Sequence, residues 1–203
     1  MRALDREVMD AVWAAVEQLL PTPSTRAHPL GCHRRRVPNR VCFDAIVIRL
    51  VTGCSWETVE QLIGYRVSDT TLRTRRDEWI RAGVFDNLIT EALAAYDRII
   101  GLDLRDVAVD GSIQKAPCGG DGTGSNPVDR GKLGWKWSIC TDRNGITLGW
   151  TTAGANRQDN TLLPATLAAV EQRGLLVDIE TLHLDRGYDN RIVRADCQQL
   201  GLT

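Results

Sequence analysis

The sequence of 203 residues has no Cys-x-x-Cys pair, no apolar run of about 18 residues and no cleavable signal pattern. Its six cysteines stand at 32, 42, 54, 118, 140 and 197. The group His28, Cys32, His33 and Cys42 has the right side chains for zinc, but its spacing matches no finger pattern. The cysteines therefore read as small, buried apolar residues. Without an apolar run, no membrane-spanning helix is expected. Without a signal pattern, the chain is expected in the cytoplasm with reduced thiols. Charge of one sign is lacking too, since the net value is −1. Its distribution says more: residues 21–82 hold 11 arginines against 6 acids, whereas residues 83–203 carry 16 acids against 12 basic residues. An excess made only of arginine suits bidentate contacts to phosphate oxygens.

Five helical stretches can be read in the first half. Leu4, Val8, Val12, Ala15, Val16 and Leu19 recur at helical spacing before Pro21. Phe43, Ile46, Val47, Leu50 and Val51 form one apolar face, stopped by Gly53. Ser55 can cap a helix from Trp56 to Ile63, and a third core helix starts near Asp69. Arg73, Arg75 and Arg76 are expected to project from its first turns. Helix, Gly-containing turn and helix with basic residues near its start fit a helix-turn-helix over about residues 41–82. A plain three-helix bundle would carry the same pattern. A further amphipathic helix covers residues 85–100, and a domain boundary falls near Gly101.

The second half changes character. Asp106–Asp110 reads as a strand ending in an acid, just before Gly111. Residues 118–134 hold six glycines and little to bury, so a mobile loop is expected. The loop lacks the Gly-Lys-Ser/Thr ending of a P-loop. Strands at 135–141 and 146–152 flank Asn144-Gly145, a hairpin-turn signal. A helix opened by Asn156–Asp159 follows, then a strand at 179–185 ending in Asp185, then a helix over about 190–200. Asp159 and Asp189 read as caps of the helices after them. His183 reads as a packed, hydrogen-bonded histidine, with an acid/base role as the alternative.

This order of strands and helices is that of an RNase H-like mixed sheet, in which the first strand lies beside the strand after the first helix. Asp110 and Asp185 would then meet, although 74 residues lie between them. Two neighbouring carboxylates repel unless one protonates or a cation sits between them. Hard oxygen donors favour Mg²⁺ or Mn²⁺. In a two-metal site Asp110 would bridge the ions and Asp185 would hold one. Lys115, Lys132 and Lys136 flank the site in sequence and could neutralise phosphates.

The strings VAVDGS, NPVDRGKLGWK, DRNGITLGWTTAGANRQDN and LHLDRGYD resemble bacterial insertion-sequence transposases of the DDE class. GCSWETVEQLIGYRVSDTTLRTRRDEWIRAGVFDNL resembles their N-terminal domain. The resemblance implies an all-α helix-turn-helix domain (1–102) and an RNase H-like catalytic core (103–203). It implies Mg²⁺ dependence, binding of double-stranded DNA at element ends and at the target, and cleavage with strand transfer. It carries the first two family acids onto Asp110 and Asp185. It implies a chain working at the nucleoid and is compatible with a homodimer. The family's third carboxylate is a Glu on a later helix, and this sequence has no Glu after Glu180. The expectation is therefore a C-terminally truncated and inactive transposase, with a DNA-binding remnant that represses transposition as the alternative.

Overall fold

The computed structural model describes residues 2–22 and 35–203. His28, Cys32 and His33 lie outside the described residues. The chain divides into two compact units, Met1–Ala92 and Leu93–Thr203.

The first unit is helical. Helix α1 (Arg6–Leu19) is followed by α2 (Asn39–Thr52), α3 (Trp56–Leu62) and α4 (Asp69–Arg81). Helix α5 (Val84–Ile99) spans the division between the units. Three of the ends have a local cause. Ser55 and Ser68 accept the Thr58 and Thr71 amides and so cap α3 and α4. Gly53 ends α2 at φ 69°, a left-handed conformation that glycine adopts without strain. The apolar faces meet in one core of Val16, Phe43, Ile46, Val59, Leu72 and Trp79. Fully burying side chains of this size contributes about 1.5–3 kcal/mol each.

The second unit is α/β, as its sequence implies. Strands β1 (Asp106–Lys115), β2 (Gly124–Ser125), β3 (Leu133–Thr141), β4 (Thr147–Gly154) and β5 (Thr181–Leu184) form one mixed sheet. Strand β3 pairs antiparallel with β1, β2 and β4, while β5 runs parallel to β1. Helix α6 (Asp159–Glu171) crosses β4 and β3, and α7 (Arg191–Gln199) follows β5. Strand alternation sends Val107, Val109 and Cys140 to the side covered by α6, where Leu163, Leu167 and Val170 complete the core. Gly149, the partner of Cys140, lies on that side, and a β-carbon there would stand 2.7 Å from Val170 Cγ2, so only glycine fits.

Two local readings change. Strand β1 runs on from Asp110 to Lys115, because β3 keeps pairing with it to Gly134. The glycine-rich stretch is tied down. Gly124 and Ser125 pair with β3, and Asn126 is buried, its amide bonded to the Lys132 carbonyl and its side chain to the Val128 amide. No helix among the described residues is long and apolar enough to cross a membrane.

Candidate functional site

The parallel register of β1 and β5 builds the site. Val109 pairs with Leu184, so the next position on each chain is Asp110 and Asp185. Parallel neighbours lie about 4.8 Å apart across strands. The pairing with β5 stops there, because Asp185 caps a 3-10 turn, Arg186–Tyr188, that leads the chain away. Asp110 therefore lies within β1 but at the end of its pairing with β5. Asp110 Oδ1 accepts the Gly111 amide at 2.7 Å, and Asp185 Oδ1 accepts the Gly187 amide at 2.8 Å. Both residues are exposed and keep Oδ2 for a ligand. Two hard oxygen donors side by side fit a divalent cation as part of its coordination sphere. Among the described residues no group of three or more His, Cys, Asp or Glu is placed to hold a metal.

The other residues singled out in the sequence take different places. Arg75 does not project from α4: it is 4% exposed. Its guanidinium donates to the Asn39 side chain and the Val37 carbonyl, and Glu78 lies 3.5 Å away. Helical periodicity puts it on the face that carries Leu72 and Trp79. Arg73 is half-exposed and pairs with Asp69 at 3.0 Å. Arg76 stacks over the Trp56 ring and bonds Asp77. Lys115 and Lys132 both pair with Asp129, at 3.1 and 3.6 Å. Those two ammonium groups, the Lys115 hydrogen bond foremost, hold the Asp129 carboxyl below its usual range. Lys136 points under the sheet and bonds Asp159 at 2.9 Å.

The caps differ from the sequence reading too. Helix α6 begins at Asp159 itself after Gln158, and the Asp159 side chain turns to Lys136. Helix α7 is capped by Asn190, which accepts the Ile192 and Val193 amides, while Asp189 binds Arg194. His183 is exposed rather than packed. It is hydrogen-bonded to Asp106 at 2.8 Å, and that bond draws the Asp106 carboxyl below its usual range.

Three residues near the acids escape a reading of the sequence as separate motifs. A β-carbon on Gly111 would lie 2.0 Å from Asp159 Oδ1, so the carboxylate rests on the backbone after Asp110. Tyr188 is 1% exposed, inside the core. Burial pushes its phenol up to about 12. Nearby Asp159, Asp185 and Asp110 add to the shift, and Ser138 opposes it. Ser138 is itself engaged by the Thr166 hydroxyl at 2.8 Å. A glycine inside a strand was the available signal, since it marks close approach of another group.

Residues 8–89 match a family described as putative transposase of the IS4/5 family. The uncharacterized 16.2 kDa protein of insertion element IS402 of Burkholderia cepacia is 33% identical over 118 residues, spanning 58% of this chain and 79% of that protein. The putative transposase for insertion sequence element IS402 of the same organism is 40% identical over 85 residues. That match spans 39% of this chain and 40% of the relative, less than half its length. A Mos1 transposase paired-end complex with left transposon end is similar at TM-score 0.34 and 12% identity, over 89% of this chain and 60% of that one. On the identity with a relative matched over most of its length, and on the matching family across residues 8–89, the chain belongs to the insertion-sequence transposases.

Proposed function

We propose that the chain binds the ends of an insertion element through its helical unit, and that its α/β unit is an RNase H-like core carrying two of three DDE carboxylates. The observation that carries this reading is the β1–β5 register, which sets Asp110 beside Asp185. Asp110 and Asp185 would hold Mg²⁺ or Mn²⁺ through their free oxygens. A bound ion supplies charge neutralisation at the phosphodiester and lowers the pKa of an attacking hydroxyl. The Gly111 and Gly187 amides fix the orientation of the two carboxylates before the ion arrives.

In the helical unit, α3, the turn at 63–68 and α4 act as a helix-turn-helix on double-stranded DNA. Arg73 and Arg76 serve phosphates by exchanging their present acidic partners. Arg75 serves by holding α4 to the segment at 37–39. Lys115 and Lys132 reach the backbone near the acids in the same way, whereas Lys136 acts from below the sheet.

The set of two donors favours a second reading, in which residues 1–203 occupy element ends without cutting them and so repress transposition. Incubation of the chain with Mn²⁺ and a supercoiled plasmid bearing the element ends separates the two. Binding without nicking is expected for the chain as it stands. End-specific cutting, abolished by Asp110→Asn, would establish the active enzyme, and no binding at all would sink both readings.

A further inference from the structure

On the side of the sheet covered by α6, directly under Gly111, an ion pair and a phenol come together. Lys136 reaches up from β3 and bonds Asp159 Oδ2 at 2.9 Å, with its side chain 10% exposed. Asp159 Oδ1 is buried and has no hydrogen-bond partner among the described residues. It is also the atom that a β-carbon on Gly111 would strike. Tyr188 follows Asp185 by three residues, and its buried hydroxyl has no partner among the described residues either. One orphan is an acceptor and the other a donor. Buried groups of this kind are almost always satisfied, directly or by an ordered water. Asp159 is the leading carboxylate influence on the phenol, ahead of Asp185 and Asp110. Ser138 accepts from Thr166, so its own proton is free to turn to the phenol oxygen, where it opposes the shift, and the phenol's proton still needs an acceptor.

We propose that the Tyr188 hydroxyl donates to Asp159 Oδ1 through one buried water, and that Asp159 thereby couples the turn carrying Asp185 to the strand carrying Asp110. Lys136 aims the Asp159 carboxylate through its 2.9 Å bond to Oδ2. Asp159, Lys136 and Tyr188 are positioning residues: they lie across the sheet from the open carboxylate oxygens and touch neither metal nor DNA. Strand parity requires this, since Gly111 points to the helix side and Asp110 to the other. The effect on metal binding rests on the reading that Asp110 and Asp185 share a divalent ion. The link between Tyr188 and Asp159 does not.

Two measurements on the full chain test it. In urea unfolding, Tyr188→Phe, Asp159→Asn and the double variant should be non-additive, the double variant melting no earlier than the worse single one. Additive shifts would overturn the link whatever the metal does. In Mn²⁺ titration followed by electron paramagnetic resonance, Tyr188→Phe should weaken binding about 10–100-fold, as loss of an outer partner does at other metal sites. Its near-ultraviolet circular dichroism should stay that of the wild type. Unchanged Mn²⁺ affinity in Tyr188→Phe would overturn the positioning role. If the wild type binds no Mn²⁺, or Asp110→Asn binds as well as wild type, the shared-ion reading fails and the positioning role falls with it. The unfolding cycle still decides the link.

Discussion

A β-carbon on Gly111 has nowhere to go. The atoms it meets are the Asp159 carboxylate at 2.0 and 2.9 Å and the Trp137 carbonyl oxygen at 3.6 Å. Gly111→Ala must push Asp159 off the strand and strain its bond to Lys136. The expected loss is about 1–3 kcal/mol, the usual range for overpacking, read as a lower urea midpoint. Asp159→Ala in the same chain should relieve the clash, so the double variant loses less than the two single losses combined. Two buried groups of the same unit set its alkaline limit. Burial raises Cys140 to about 12 and Tyr188 to about 12. Both are neutral in the fold and titrate lower once unfolded, so the unfolded chain releases protons first. Their contribution is complete below about pH 9 for the thiol and pH 10 for the phenol. It is lost as pH climbs towards 12, at about 1.4 kcal/mol per pH step for each group. Urea midpoints at pH 8, 9.5 and 11 should fall progressively, and Cys140→Ala with Tyr188→Phe should flatten the fall. The sequence shows these residues but hides which way they face. In Trp135-Lys136-Trp137-Ser138 the bulky apolar residues invite burial, yet Lys136 and Ser138 are the buried pair. Period two fixes which residues share a face, not which face is covered.

Elements were more legible than their ends. Apolar spacing located the long helices, although Leu50, read on the apolar face of α2, is exposed, and the Ser55 cap was visible before Trp56. Ends with two competing caps were not, because Asn and Asp suit the position equally. At α7 the choice falls on Asn190, whose Oδ1 accepts two amides at 3.0 Å, while Asp189 faces Arg194 in solvent. Asn190→Ala should therefore cost about 1 kcal/mol of stability, and Asp189→Ala no more than a few tenths. Equal losses would mean that the cap is shared. Strand β1 was read short for a related reason. Its last residues, Ser112, Gln114 and Lys115, are polar and exposed, and only pairing with β3 makes them strand. The neighbouring places of Asp110 and Asp185 were legible because they need little: an acid at the end of each strand's apolar run and a topology that makes those strands neighbours. Arg75 was not, since an arginine on a core-facing helix position carries the same letter as one on the surface.

At the scale of the molecule, the two units have separate cores with no residue in common. The helical core closes on Trp79, the α/β core on the stripe of α6. Damage to one core should leave the other's property standing. Trp79 is fully buried, so Trp79→Ala should cost about 3–5 kcal/mol, enough to unfold a marginal helical unit. Leu167→Ala should cost the α/β unit about 2–5 kcal/mol. The expected pattern is crossed. Trp79→Ala loses binding to duplex DNA carrying the element ends, together with its salt dependence, and retains Mn²⁺ binding at Asp110 and Asp185. Leu167→Ala loses Mn²⁺ binding and keeps duplex binding with an unchanged salt slope. Gel-shift titrations at two salt concentrations and Mn²⁺ titration on the same protein preparations read both. If either substitution abolishes both properties, recognition and metal binding depend on a single cooperative fold.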